Sequence, residues 1–429
     1  MKRFLYILCT VTCLFMGCKD DEDREWSPDD KSARTVLVYM AGENNLTLSN
    51  GHRYLRSDLN EIIEGSKLLS DNQRLLVFVD SLNNNSKQAG KPFIMEVHGG
   101  KTIMRHEFES EFYSCDPDRF SEIIQWMTTN APADDYGLVL WGHACGWAVS
   151  NDTIAESTYS TRAYGQDYGT DGSGNGTKWM NITQMARALE RLPMPKLSFI
   201  FADCCNMMCA EVGYELRNVT NYLIGSPAEI PGDGAPYEKM VPYFYKSGSE
   251  LYRGIIDTYY NDYLEEYEID QDLESYSVPL SVIDTKYIGQ LAQATHDVLD
   301  KFTDGYPAYP SSLDMGHQVY YWYFDGPIMY DMRAFIKNHT SDADFAQWDQ
   351  AFKQAVPYYR MSMEWMTIYA NLEMAFYDFD QDESKNGCVS MFIPKNINSY
   401  YNGTFHYNST YNNFGWNRVM DWSRFGWSY

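Results

Sequence analysis

Short apolar runs alternate with amphipathic stretches along the first half of the chain. Runs rich in β-branched and other apolar residues predict buried strands over residues 34–42, 74–80, 136–142 and 197–203. Between these runs, apolar residues recur at helical spacing over residues 54–69, 117–127 and 181–192. Alternation of buried strands with helices is typical of a mostly parallel sheet that is covered on both faces. The pattern therefore predicts an α/β fold.

Two segments interrupt this alternation. Gly99 and Gly100 separate two short apolar stretches and predict a hairpin that is a local insertion. Residues 151–178 are polar and glycine-rich, so we predict a loop over their whole length. Loops of this length are usually functional.

The second half of the chain is less regular. Its pattern predicts helices at 250–267, 287–302 and 345–356, and strands at 277–283 and 388–394. The aromatic run 320–324 is predicted to be core, with a peptide-contacting wall as the alternative. The aromatic tail, residues 400–429, is predicted to wrap the surface.

Reactive side chains follow two of the predicted strands. His143 comes directly after the strand at 136–142, and Cys205 follows the strand at 197–203. The carboxyl ends of parallel strands meet at one edge of a sheet, so the two side chains can face each other there. A thiol beside a histidine is the nucleophile and base of a cysteine hydrolase. The alternatives are a histidine satisfied at a strand end and a buried core thiol.

The first residues form a predicted targeting segment. Lys2 and Arg3 precede an apolar stretch that is too short to span a bilayer, and Gly17 precedes Cys18. This arrangement resembles a bacterial lipoprotein processing site, which predicts a signal peptide at 1–17 and lipidation of Cys18. An ordinary secretory signal is the alternative. We therefore expect a lipoprotein of the bacterial outer membrane or cell surface, attached to the membrane by its lipid anchor.

The rest of the chain divides into three predicted parts. Residues 18–32 are acidic and form a flexible tether. Residues 33–245 form the catalytic core, and residues 246–429 pack on that core and extend it.

Composition narrows the range of partners. The formal net charge is −25, which argues against nucleic acid as a partner. Aromatic residues make up 16% of the chain, which suits contact with peptides or glycans. Of the nine cysteines, six remain if the signal peptide is removed and Cys18 is lipidated. These six have no repeated spacing, so neither a disulfide framework nor a structural zinc site is expected.

Three stretches together, residues 136–147, 201–211 and 226–234, resemble the clostripain family of cysteine peptidases, within the group that includes caspases, legumain and gingipains. The resemblance implies a caspase-like α/β/α sandwich with a mostly parallel central sheet and a C-terminal helical and strand extension. It also implies an endopeptidase that cuts protein or peptide substrates after Arg or Lys, with no cofactor required for the chemistry. Within the motif it selects Cys205, rather than the adjacent Cys204, as the partner of His143.

A pocket for a basic side chain needs a carboxylate, because an unpaired cation is costly to desolvate. Asp203 lies two residues before Cys205 and on the same side of an extended strand, so it is the first candidate. Glu229 or Asp233 could form a second wall. Capping of the following helix is the alternative role for Asp203.

The long loop carries two further predictions. The resemblance implies cleavage between the histidine and the cysteine, and Arg162 and Lys178 are the candidate processing sites. Asp167 and Asp171 are candidate ligands for calcium, the one metal ion that the sequence suggests.

A different class of function is also compatible with these residues. A catalytically weak surface lipoprotein could bind peptides or glycans through the same groove, and a transporter component is a third alternative. Turnover of a peptide with Arg or Lys before the scissile bond separates the peptidase from both.

Overall fold

The computed structural model describes residues 31–47, 53–83, 88–148, 163–169, 176–269, 277–306, 319–322, 329–368, 374–379, 382, 384–394 and 414–426. Its strands, in chain order, are β1 (Ser32–Gly42), β2 (Gln73–Ser81), β3 (Phe93–His98), β4 (Lys101–Glu107), β5 (Ala133–Gly142), β6 (Tyr164–Asp167), β7 (Lys178–Met180), β8 (Leu197–Asp203), β9 (Thr220–Gly225), β10 (Leu280–Asp284), β11 (Tyr320–Trp322), β12 (Met329–Asp331), β13 (Tyr358–Arg360), β14 (Glu364–Ile368), β15 (Met374–Asp378) and β16 (Ser390–Phe392).

The helices alternate with these strands in the first half and cluster in the second. They are α1 (Tyr54–Gly65), α2 (Pro117–Asn130), α3 (Ile182–Glu190), α4 (Ala210–Glu215), α5 (Tyr237–Met240), α6 (Ser249–Ile269), α7 (Thr285–Leu299), α8 (Met332–His339), α9 (Asp342–Ala355) and α10 (Gly415–Met420). Within the described residues, no helix has both the length and the apolar character needed to cross a bilayer.

A nine-stranded sheet with the order β13-β10-β9-β8-β5-β1-β2-β3-β4 forms the centre of the molecule. Its five middle strands, β9, β8, β5, β1 and β2, are parallel, and antiparallel strands complete both edges. The parallel strands are buried on both faces, which is why their sequences are continuously apolar. The strands predicted in the first half are confirmed.

Helices cover both faces of the sheet. Successive residues of β1 show this directly, since Val36 and Val38 pack into the core beneath α1, α5 and α6, while Leu37 and Tyr39 pack into the core beneath α2, α3, α4 and α7. The side-chain alternation of one strand thus separates two cores. The predicted α/β/α sandwich is confirmed.

Two predictions about the first half were wrong in detail. The β3–β4 hairpin is not a local insertion, because β3 pairs with β2 and continues the main sheet. The segment 151–178 is not loop throughout, since β6 and β7 pair as a small antiparallel hairpin. Tyr164 accounts for this second difference. Its ring is fully buried, and its hydroxyl donates to the Tyr39 carbonyl at 3.3 Å.

The C-terminal half completes the sheet and both cores. β10 and β13 form one edge of the main sheet, and β14 and β15 form a separate hairpin. The predicted surface position of the aromatic tail was wrong for its described part, because Trp416 and Trp422 are fully buried. Trp416 packs edge-on against Tyr214 of α4. Burial of these large rings holds the last helix against the body of the protein.

Candidate active site

Neighbouring parallel strands bring His143 and Cys205 to the same edge of the sheet. Trp141 of β5 is aligned with Asp203 of β8, and the two reactive residues each lie two positions beyond this pair. Both line one cavity of about 440 Å³, a size suited to a side chain or a short peptide segment. The predicted proximity of His143 and Cys205 thus follows from the register of β5 and β8.

The loop after β1 orients the histidine. The Asn45 Oδ1 atom lies 2.8 Å from His143 Nε2. An amide oxygen can only accept, so Nε2 carries the proton and Nδ1 carries the lone pair. The neighbouring Asn44 holds this loop, because its Nδ2 donates to the carbonyls of Ala41 at 2.9 Å and Gln166 at 2.8 Å. Asn45 was missed in the sequence analysis, since nothing in a polar loop distinguishes it locally.

The thiol stands on a tight turn after β8. Asn206, the next residue, has a φ of 59°, a left-handed conformation that asparagine tolerates better than most residues. Gly146 of the histidine loop has a φ of 50°, and a Cβ there would lie 2.1 Å from the Asn206 carbonyl oxygen. The backbones of the two catalytic loops therefore touch at Gly146. This contact fixes the loop of Cys205 relative to the loop of His143.

Burial keeps the Cys205 thiol protonated. Burial raises the thiol pKa well above its usual value, and the neighbouring Glu229 carboxyl raises it further. The Ile230 amide donates to the sulfur at 3.4 Å and opposes this effect. The sulfur therefore enters the reaction as a thiol and needs a base to take its proton.

The other cysteines near the site are packing residues. Cys204 and Cys209 lie in the core beside α4, whereas Cys205 is partly exposed in the cavity. Cys145 is also buried, and its backbone amide donates to the Ala163 carbonyl at 2.7 Å. That amide is thus engaged within the protein and does not face a substrate.

Asp203 lies at the wall of the same cavity and is held by three donors. Its Oδ2 accepts from the Tyr237 hydroxyl at 2.7 Å and from the Ala235 amide at 3.3 Å. Its Oδ1 accepts from the Tyr259 hydroxyl at 3.2 Å. Burial raises the pKa of Asp203 to about 6, although these hydrogen bonds favour the ionised form. Asp203 is therefore a fixed carboxylate at neutral pH.

The alternative role for Asp203, capping of the following helix, is wrong. α4 begins at Ala210, and the residue before it is Cys209. The strand ends in a turn instead of passing directly into the helix, so the carboxyl group of Asp203 bonds the tyrosines and not the helix amides.

A second buried acid, Asp58, lies beside Asp203. A Cβ placed on Gly234 would lie 2.8 Å from Asp58 Oδ2 and 3.3 Å from Asp203 Oδ2, so both carboxyl groups lie next to Gly234. Asp58 Oδ2 accepts from the Trp141 indole N–H at 2.5 Å. Burial, followed by repulsion from Asp203, raises the pKa of Asp58 to about 9. At neutral pH Asp58 is neutral and Asp203 carries the charge.

Asp58 was missed in the sequence analysis, although its position held a signal. It lies on the buried face of α1 with Leu55 and Ile62, at the helical spacing of core residues. A carboxyl group at a core position of an amphipathic helix needs a partner. Its partners here come from distant parts of the chain.

The other two predicted pocket acids, Glu229 and Asp233, lie in different environments. Glu229 is buried and lines the cavity on the Cys205 side, where its Oε1 accepts from Asn206 Nδ2 at 2.8 Å. Its backbone amide donates to the Met366 carbonyl of β14 at 3.3 Å. Asp233 is exposed and is not among the residues that line the cavity, so its prediction as a pocket wall was wrong. The next residue, Gly234, has a φ of 70° and lines the cavity.

The residues that were predicted to act in the long loop lie in different places. Lys178 is half-buried in β7, where it pairs with Asp167 of β6. Asp167 is fully buried and lies close to Glu43 and Asp80. Arg162, Asp171 and Cys18 lie outside the described residues.

Comparisons with known proteins agree with this geometry. A family model described as the clostripain family matches residues 38–427. A secreted C11 cysteine protease from Bacteroides thetaiotaomicron, solved in complex with an irreversible peptide inhibitor, is 28% identical. It aligns over 92% of this chain and 100% of its own, with a TM-score of 0.72. An inactive zymogen C11 protease from Parabacteroides distasonis shares the fold at 22% identity, over 91% of this chain and 98% of its own, with a TM-score of 0.69. Curated proteins gave no significant match.

Proposed function

Because this chain belongs to the clostripain family of cysteine peptidases, we propose that it cleaves peptide bonds after Arg or Lys, with Cys205 as nucleophile and His143 as base. The observation that carries this proposal is the position of Asp203. Its buried carboxylate lines the same cavity as the thiol and the imidazole. A cationic side chain bound against Asp203 would place the following carbonyl near Cys205.

The tautomer of His143 supports a general-base step. Nε2 donates to Asn45, so Nδ1 has the lone pair that takes the thiol proton as sulfur attacks the carbonyl carbon. The imidazolium then gives this proton to the leaving amine, and the C–N bond breaks. Water hydrolyses the resulting thioester and restores the thiol. Since burial keeps Cys205 protonated at rest, proton transfer accompanies attack rather than preceding it.

The charge state of the pocket supports a preference for one cation. Asp203 is ionised and Asp58 is neutral at neutral pH, so the pair carries one negative charge. A guanidinium or ammonium group neutralises that charge and replaces its lost hydration with charge-assisted hydrogen bonds. An uncharged side chain leaves the Asp203 carboxylate without a counter-charge in a cavity from which water is displaced, and this penalises the binding of such a side chain.

Fluorogenic peptides that differ only at the residue before the scissile bond test the proposal. We expect turnover with Arg or Lys, and loss of turnover in Cys205→Ala and His143→Ala. Cys204→Ala is the matched control, because that thiol is buried in the core. Peptide binding by the wild type without turnover would favour the alternative of a surface binding protein. Full activity of Cys205→Ala would refute the assignment of the nucleophile.

We also propose that the chain is processed between its two catalytic residues. Lys178 is paired with Asp167 in β7, and a protease needs an extended, unpaired segment, so we propose cleavage after Arg162 rather than after Lys178. Mass spectrometry of wild type beside Cys205→Ala should show two fragments in the wild type alone. Arg162→Gln should prevent that cleavage. Intact wild-type protein with full activity would refute the requirement for processing.

Attachment to the membrane is a separate proposal that rests on Cys18. Lipidation there would place the enzyme at the outer membrane or the cell surface. Expressed in a Gram-negative host, the full chain should partition into the detergent phase of Triton X-114, and Cys18→Ala should move it to the aqueous phase. Equal partitioning of the two proteins would contradict lipidation.

A further inference from the structure

Three buried carboxyl groups meet beside the active site. Glu43 follows β1, Asp80 lies near the end of β2, and Asp167 ends β6. One oxygen from each lies within 4.8 Å of one from each of the others, and all three residues are fully buried. The ladders explain the meeting, since Ala41 of β1 is aligned with Asp80 and the Glu43 carbonyl accepts from the Tyr168 amide at 2.9 Å. These residues form what we call the acidic triad.

The acidic triad is incompletely satisfied by the protein. Among the described residues, neither carboxylate oxygen of Glu43 has a hydrogen-bond partner, and the same holds for both oxygens of Asp80. Asp167 differs, because its oxygens accept from the amides of Ser114 at 2.7 Å and Gly169 at 2.9 Å. Asp167 is thus held in a fixed orientation. The Ser114 hydroxyl, which donates to Asp167 at 3.1 Å, also acts on the Asp80 carboxyl group.

The neighbouring charges do not balance the triad. Within the described part of the chain, no Lys or Arg forms an ion pair with any of the three carboxyl groups. Another acid, Glu111, also acts electrostatically on Glu43. Buried carboxylates without a counter-charge are strongly disfavoured, so either protons or a cation must neutralise them.

We propose that Glu43, Asp80 and Asp167 bind one hard divalent cation. The three residues offer only carboxylate oxygens, which are the preferred ligands of Ca²⁺ and Mg²⁺, and no softer donor. Their spacing allows one ion to contact all three at once, since two oxygens on opposite sides of such an ion are separated by roughly 4 to 5 Å. Ca²⁺ fits the buried site better, because bidentate carboxylates can supply most of its ligands, whereas Mg²⁺ retains several waters.

The same elements connect this site to the catalytic histidine. Glu43 lies two residues before Asn45, which bonds His143, and Asp167 lies between Gln166 and Tyr168, which line the cavity. Gln166 also accepts from Asn44 in the histidine-orienting loop. A cation held by the triad would therefore fix this loop against β6. That consequence for activity rests on the proposed function, whereas binding of the cation does not.

Binding to chelator-treated protein tests the proposal directly. Calorimetric titration with CaCl₂ and, separately, MgCl₂ should give one site per chain, with tighter binding of Ca²⁺. Saturating Ca²⁺ should raise the thermal midpoint by several degrees, because a ligand bound only to the folded state stabilises it. Asp80→Asn and Glu43→Gln should each weaken the affinity at least tenfold. Glu107→Gln, which removes one exposed charge from β4, is the matched control and should bind normally.

Each outcome decides for or against the site. Stoichiometric binding that both triad variants lose, and the control keeps, supports it even if peptidase activity does not change. Failure of wild type to bind either cation at millimolar concentration, or to gain thermal stability from it, would overturn the proposal. Binding that survives both triad substitutions would equally overturn it. If Asp80→Asn does not fold, Glu43→Gln decides, since Glu43 follows the strand instead of forming part of the ladder.

Discussion

Replacement of Asp203 by asparagine removes the charge of the proposed specificity pocket while nearly preserving its shape. The Asp203 carboxylate accepts from Tyr237, Tyr259 and the Ala235 amide. An asparagine oxygen can keep the bonds to Tyr237 and Ala235. The Tyr259 hydroxyl can rotate to accept from the new amide group. We therefore expect Asp203→Asn to fold.

The expected loss of selectivity follows from the hydrogen bond between the substrate cation and the Asp203 carboxylate. A hydrogen bond to a charged group contributes about 1.5 to 3 kcal/mol, and about 1.4 kcal/mol corresponds to tenfold in rate. The selectivity for Arg over citrulline, its uncharged analogue, should therefore fall roughly 10- to 150-fold in kcat/KM. Turnover of the citrulline peptide should change little, because the catalytic pair is unaltered.

The pH dependence provides a second measure of the same charge. Since burial raises the pKa of Asp203 to about 6, the wild-type selectivity for Arg should grow as the pH rises through that region. The Asp203→Asn selectivity should be flat over the same range. Asp233→Asn, which removes an exposed charge from the neighbouring loop, is the matched control and should behave as the wild type.

The assay compares paired fluorogenic peptides with Arg, Lys or citrulline before the scissile bond, between pH 5 and pH 8. A folded Asp203→Asn enzyme that still strongly prefers Arg would refute the role of Asp203. Loss of selectivity in Asp233→Asn instead would show that the exposed acid determines the preference.

Two further substitutions test the packing around the site. Burial raises the pKa of Asp58 to about 9, so the folded protein keeps a proton that the unfolded chain loses above about pH 4. Wild-type stability should therefore fall by up to ~1.4 kcal/mol per pH unit between these values. Asp58→Asn, which retains an acceptor for Trp141, should show a shallower decline in urea unfolding, and an equal slope would contradict the pKa. Gly146→Ala places a Cβ 2.1 Å from the Asn206 oxygen at a positive φ, so we expect a loss of about 2 kcal/mol or more and a fall in kcat/KM. Gly289→Ala, in open space on α7, is the control and should not lose stability.

The sequence was most informative about features that depend only on the local residue pattern and on the order of elements along the chain. Continuous apolar runs predicted the parallel strands, and the positions of His143 and Cys205 at strand ends predicted that they would lie close together. The hydrogen-bond register of β5 and β8 then brings them to one cavity. Neither inference needed knowledge of distant contacts.

The environment of Asp203 could not be predicted in this way. Tyr237 and Tyr259 lie 34 and 56 residues away in the chain, and their hydroxyls converge only because α5 and α6 pack on the sheet. Asp58 reaches the same region from α1, which lies much earlier in the chain than Asp203. Local patterns specify which residues are buried, whereas tertiary packing specifies which buried polar groups meet.

The predictions for the aromatic tail and for the long loop were wrong for the same physical reason. Aromatic residues near the C-terminus gave no periodic pattern, yet Trp416 and Trp422 bury their rings against the body. Tyr164 likewise anchors a strand within a segment that is otherwise polar and glycine-rich. One large buried side chain can outweigh the preference of its neighbours for loop structure.

Covalent labelling at the active site tests the central claim most directly. Wild-type protein treated with a peptide chloromethyl ketone ending in Arg, then digested and analysed by mass spectrometry, should carry one label per chain, on Cys205. Labelling should be much slower in His143→Ala and in Asp203→Asn, and a citrulline analogue should label the wild type slowly. A label on Cys204 would contradict the assignment of Cys205 as the nucleophile. Equal rates for the Arg and citrulline reagents would contradict an anionic specificity pocket.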